Sequence, residues 1–231
     1  MALRGAAAMT TANLPLLSGG QLVVASLRAH GARMAFSVAG ESYLEVLDAL
    51  YDAPEIRLVT CRQEGGAALM AEAYGKLTGE PGVLLVTRGP GACNAAIGVH
   101  TAFQDSTPMI VLVGQVARHQ IDREAFQEVD FRKMYAPLAK WVTQIDMAER
   151  IPELIGQAFQ IATSGRPGPV VLAVSAIPPA RTAAGADQRR DGLWCPRRGR
   201  RQAGPSRPHR RRVLRRRRVH DDRAGVGNVA R

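Results

Sequence analysis

The residues of this chain most able to do chemistry fall in three short stretches. Glu64 stands in CRQEGG (61–66), where the strand-like run IRLVT gives way to a helix-like run of small and apolar residues. A carboxylate at such a junction has two readings. It can be a solvated acid meeting the positive end of a helix macrodipole, or a proton-handling group set beside a ligand. A second stretch, TRGPGACN (87–94), also joins a strand pattern to a helix pattern. Its glycines could turn backbone N–H groups toward an anion, or simply let the helix pack closely. Gly89 and Gly91 fit a dinucleotide fingerprint, but Asn94 stands where the third glycine is required, so a nicotinamide site is not expected. The third stretch, VAGES (38–42), puts Gly40 at a turn tip, with Ser42 and Glu45 at the spacing of a capping box.

The elements around these stretches alternate. Helix patterns over 19–31 (Ser18 as N-cap, Gly31 as stop), 42–52, 63–78 (stopped by Gly79) and 148–164 are interleaved with strand patterns over 34–38, 56–60, 83–87, 109–114 and 170–174. A further helix pattern follows the turn at 88–91. The strands are short apolar runs without polar alternation, as in a parallel sheet covered on both faces. The expected fold is therefore α/β, a doubly wound parallel sheet with helices on both faces. Ligands in such folds bind beyond the carboxyl ends of the strands, and all three stretches lie at such ends.

The charge is segregated. Of 31 Lys and Arg, 17 are arginines in residues 181–231, against four acids there; the first 180 residues carry 14 basic and 16 acidic groups, a net of −2 within the total of +11. The expected organisation is a flexible N-terminus over 1–18, a folded domain over 19–180, and an Arg-rich tail over 181–231 that lacks the apolar periodicity to order itself. Such a tail is either a nucleic-acid-binding extension or an out-of-frame reading of a GC-rich gene, the reading the composition favours. The start is either Met1 or Met9. Three cysteines without metal-ligand spacing argue against a disulfide scaffold. With no membrane-length apolar run, these features point to a cytoplasmic protein.

The segment RQEGGAALMAEAYGKLTGEPGVLLVTRGPGACNAAIGVHTAFQDSTPMIVLVGQV, followed by EAFQEVD and then GRPGPVVLAV, resembles the N-terminal pyrimidine-binding domain of thiamine-diphosphate enzymes, and within them the acetolactate synthase group. It departs modestly: Gln63 replaces a common His, and GPGACN replaces GPGATN. The resemblance implies that Glu64 is catalytic, hydrogen-bonding N1′ of the aminopyrimidine so that the ring's exocyclic nitrogen can take the thiazolium C2 proton before a 2-keto acid is decarboxylated and ligated. It implies that Gly40, Pro90, Asn94 and Gln127 border the cofactor. Phe126 would border the substrate pocket, with simple core packing as the alternative.

The same resemblance implies thiamine diphosphate as cofactor, of which this chain would hold the pyrimidine half only. The Mg²⁺ and FAD sites expected in the family are missing from the sequence, which has no Gly-Asp-Gly motif in a suitable context. The chain would then be a truncated part of such an enzyme, inactive alone. Its partners would be further copies, as a homodimer or tetramer, or a separate diphosphate-domain chain, with a small 2-keto acid as substrate. Two other readings stay open: the pyrimidine-domain subunit of a two-chain 2-keto acid decarboxylase, and a non-catalytic α/β module with a nucleic-acid-binding tail. Nucleic acid is not the expected partner, because nothing in the body is basic, and neither is a membrane.

Overall fold

The structure is a computed structural model and describes residues 17–175. Its centre is one parallel sheet of six strands in the order β2-β1-β3-β4-β6-β5. The strands are β1 (Met34–Ser37), β2 (Arg57–Thr60), β3 (Gly82–Val86), β4 (Met109–Gln115), β5 (Trp141–Ile145) and β6 (Pro169–Ser175). The helices are α1 (Gly19–Ala29), α2 (Leu44–Tyr51), α3 (Glu64–Thr78), α4 (Pro90–Gln104), α5 (Phe131–Tyr135) and α6 (Ile151–Thr163). The doubly wound α/β expectation holds. The readings for the chain before residue 17 and after residue 175 lie outside the described residues.

The strand order dictates which face each helix covers. A right-handed crossover puts its helix on one face when the chain moves one way along the sheet, and on the other when it reverses. The chain moves from β1 out to β2, then back past β1 to β3, so α2 and α3 lie on opposite faces. Two cores show this. Val83, Leu85, Ile110, Leu112, Val170 and Leu172 point toward α1, α2 and α6. Their neighbours Leu84, Val86, Met109, Val111, Val113 and Val171 point toward α3, α4 and α5. Strands β3 and β4 are buried along their whole length, which is why they read as unbroken apolar runs.

The ends of the elements follow local chemistry. Ser18 caps α1 in a full capping box with Gln21, and Gly31 takes the left-handed conformation (φ 80°) just past its end. Gly79 ends α3 in the same conformation. The capping box expected at Ser42 and Glu45 is absent. Residues Glu41–Tyr43 form a 3₁₀ turn, α2 begins after Tyr43 without a side-chain cap, and the Ser42 hydroxyl instead meets Thr87 Oγ1 at 2.9 Å. A tertiary partner has taken the oxygen that the local pattern assigned to the helix.

Candidate functional site

The sheet order reverses beside β1, so the loops after β1 and β3 open a crevice at their carboxyl ends. Both loops are held to each other. A Cβ on Gly40 would come within 2.7 Å of Thr87 Cβ, so only glycine allows this approach. The Ser42–Thr87 hydrogen bond and an ion pair between Arg88 and Glu41 complete the strap. Beneath it, the buried Tyr43 hydroxyl lies 3.0 Å from Ser37 Oγ and donates to the Val38 carbonyl. Burial pushes the Tyr43 phenol above its ordinary value of 10.0; the Ser37 bond opposes this and the nearby charge of Glu64 adds to it.

Glu64 is the first residue of α3, so its helix-start reading is geometrically sound. Gln63 supplies the cap, its Oε1 accepting from the Gly66 N–H at 2.8 Å. The Glu64 side chain, however, reaches across to α4. The Asn94 amide donates to Glu64 Oε2 at 2.9 Å, and a Cβ on Gly91 would lie 3.3 Å from Glu64 Oε1 and 2.8 Å from Thr87 Cγ2. Gly91 therefore lets the start of α4 pack close to both the threonine and the carboxylate. Gly65 packs toward the Asn94 carbonyl, while a Cβ on Gly66 would meet only Gln63, at 3.9 Å. Pro90 opens α4 at its first position, exposed, and holds the turn's geometry.

Gln127 and Phe126 come from the long connection between β4 and α5. Gln127 has φ 64°, and its backbone presses on the turn before α4: a Cβ on Gly89 (φ 47°) would lie 2.9 Å from the Gln127 carbonyl oxygen. Phe126 is 77 % exposed. Core packing is therefore not its role. The structure gathers Glu64, Asn94 and Gly91 into one cluster, sets Gly40 on the far side of Thr87, ties Gln127 to the same turn, and leaves Phe126 standing out from the surface. Sequence reasoning missed Ser42, Thr87, Glu41 and Arg88 as the strap, because their pairing spans more than 40 residues. The signal that could have raised them is their position, flanking Gly40 and Gly89 at two adjacent strand ends. Among the described residues, no group of three or more His, Cys, Asp or Glu side chains is placed to hold a metal ion, and no helix is long and apolar enough to cross a membrane.

A doubly wound sheet with its crevice at the switch point, walled by glycines and one carboxylate, defines a small-molecule-binding α/β domain. Residues 17–134, just over half of the chain, match the family described as thiamine pyrophosphate enzyme, N-terminal TPP binding domain, and the chain belongs to that family. It is similar to the acetolactate synthase isozyme 3 large subunit of Escherichia coli, 43 % identical over 159 residues, covering 69 % of this chain and 28 % of that protein. The probable acetolactate synthase large subunit of Methanocaldococcus jannaschii is 42 % identical over 154 residues, covering 67 % and 26 %. The mitochondrial acetolactate synthase catalytic subunit of Saccharomyces cerevisiae is 40 % identical over 156 residues, covering 68 % and 23 %. The matched part of the chain thus spans about a quarter of the length of these relatives.

Proposed function

We propose that this domain holds the aminopyrimidine half of thiamine diphosphate for an acetolactate synthase-like decarboxylation and carboligation of 2-keto acids. The observation that carries the reading is the Glu64 carboxylate, turned away from its own helix end toward Asn94 and Gly91 of α4 at the switch point. The residues fit a flat ring. Gly40, Gly65 and Gly91 bring backbone close to neighbouring groups that a Cβ would crowd, and a Cβ on Gly66 would meet only Gln63. When bound, the cofactor supplies the carbanion chemistry at its thiazolium carbon.

What this chain contributes is orientation and one proton site. Asn94 occupies Glu64 Oε2 and so fixes the carboxylate plane, which leaves Oε1, beside Gly91, to share a proton with a ring nitrogen. That supports a catalytic role for Glu64 and a cofactor-bordering one for Asn94. Gly40, Pro90 and Gln127 complete the border, and Phe126 stands beside it, toward the substrate. A carboxylate and a ring alone do not hold a diphosphate. The Mg²⁺-and-diphosphate half comes, on this reading, from another chain, whether a second copy in a dimer or tetramer or a separate diphosphate-domain protein. The domain alone is then inactive.

The test is a nuclear magnetic resonance titration of the full chain with the free hydroxymethyl-aminopyrimidine of thiamine. Saturable shifts are expected at the amides of Gly40, Gly65, Gly91 and Asn94. Glu64→Gln should weaken binding by roughly tenfold, the worth of one hydrogen bond to a charged group. Equal binding by Glu64→Gln, or shifts confined to other surfaces, would remove the cofactor reading.

A further inference from the structure

The connection between β4 and α5 is unusual for a surface loop. Among the described residues four non-glycines have positive φ, and three of them lie here: Asp122 (62°), Glu124 (53°) and Gln127 (64°). Such conformations persist only where the surroundings over-determine them. The determinant is the carboxylate of Glu128. Its Oε1 accepts from the Asp122 N–H at 2.6 Å and its Oε2 from the Ala125 N–H at 2.9 Å. The Arg123 N–H is directed at it as well, and the Glu128 N–H returns a bond to the Ala125 carbonyl at 2.9 Å. The far side of the loop is anchored by Gln115, which donates to the Val129 carbonyl at 2.9 Å and accepts from the Val116 N–H.

We propose that Glu128 is a positioning residue: its carboxylate folds residues 122–127 into a rigid loop that projects Phe126 into solvent and presses the Gln127 backbone on the turn that begins α4. The loop needs an anion at its centre because several N–H groups converge there, as in a backbone nest. The consequence reaches the crevice. Gly89 touches the Gln127 backbone, and the Gly89 carbonyl accepts from the Cys93 N–H at 2.9 Å, one residue before Asn94. Glu128 thereby helps set the start of the helix that orients Asn94 against Glu64. The inference deepens the cofactor reading, but its test uses no ligand and so stands or falls separately.

The experiment is amide hydrogen exchange on the full chain, comparing wild type with Glu128→Ala and Glu128→Gln. In Glu128→Ala, the amides of Asp122, Arg123 and Ala125 should exchange about tenfold faster or more, and that of Cys93 should follow. Glu128→Gln keeps one oxygen acceptor and should restore part of the protection. The urea midpoint should fall only slightly in either variant, because the residue lies outside both cores. Unchanged exchange at 122–125, or a change there that leaves Cys93 untouched, would overturn the proposal. So would a fall in global stability that accounts for the faster exchange everywhere.

Discussion

Two glutamates show how differently the same side chain is used at the residue scale. Glu64 is placed by its helix and steered by one neighbour, Asn94, with its other oxygen beside Gly91. Glu128 is consumed by its own loop, and the N–H groups of Ala125 and Asp122 hold its carboxyl below the ordinary 4.5. That direction fixes a pH dependence. The folded loop favours the ionised form more than the unfolded chain does, so the contribution is complete above about 4.5 and is lost as pH falls through the lower folded value. Amide chemical shifts of Asp122 and Ala125 should therefore titrate together below 4.5 in the wild type. They should lose that transition in Glu128→Gln. A transition that survives the substitution would assign it to another acid.

At the scale of elements, α3 and α4 meet in close contact behind the crevice. A Cβ on Gly98 would fall on the Ala68 Cβ and lie 2.7 Å from the Ala68 carbonyl carbon. Backbone cannot swing aside as a side chain can. Gly98→Val should push the helices apart and destabilise the fold by about 1–3 kcal/mol or more, read as a lower urea midpoint with an unchanged slope. Because α3 carries Glu64 and α4 carries Asn94, the Asn94–Glu64 bond should loosen with it. What the sequence made legible follows the same physics. Strands buried on both faces, such as VLLV and MIVLV, are continuous apolar runs and were readable. Strand β5, WVTQI, was not: it is a sheet edge whose first four residues are only half buried, so Thr143 and Gln144 hide its period. Helix α5 has five residues, too few for a helical repeat. The stretches that hold Glu64, Gly40 and Asn94 could be raised as candidates because they begin at strand ends, where topology places a site before any contact is known, whereas a role for each residue came only from the resemblance. The Ser42–Thr87 strap and the Glu128 loop could not, since both depend on which distant or strained backbone groups are brought together.

Over the whole molecule, the segregation of charge separates the remaining readings. The crevice residues belong to a body with a net charge of −2, while residues 181–231 bring 17 arginines against four acids. A polyanion should therefore see the tail and not the domain. Retention on heparin or duplex DNA should fall steeply with salt, because it rests on counterion release from phosphates or sulfates. Deletion of residues 186–231 should abolish it. The same deletion should leave aminopyrimidine binding and the urea midpoint as they were, because the described residues of the crevice and of both cores lie before residue 176. If the shortened chain kept its salt-sensitive binding to DNA, a basic surface would have to exist on the folded domain, and the nucleic-acid module would displace the cofactor domain as the better reading. If instead the shortened chain lost aminopyrimidine binding, the tail would belong to the site, and the crevice at the switch point would be only part of it.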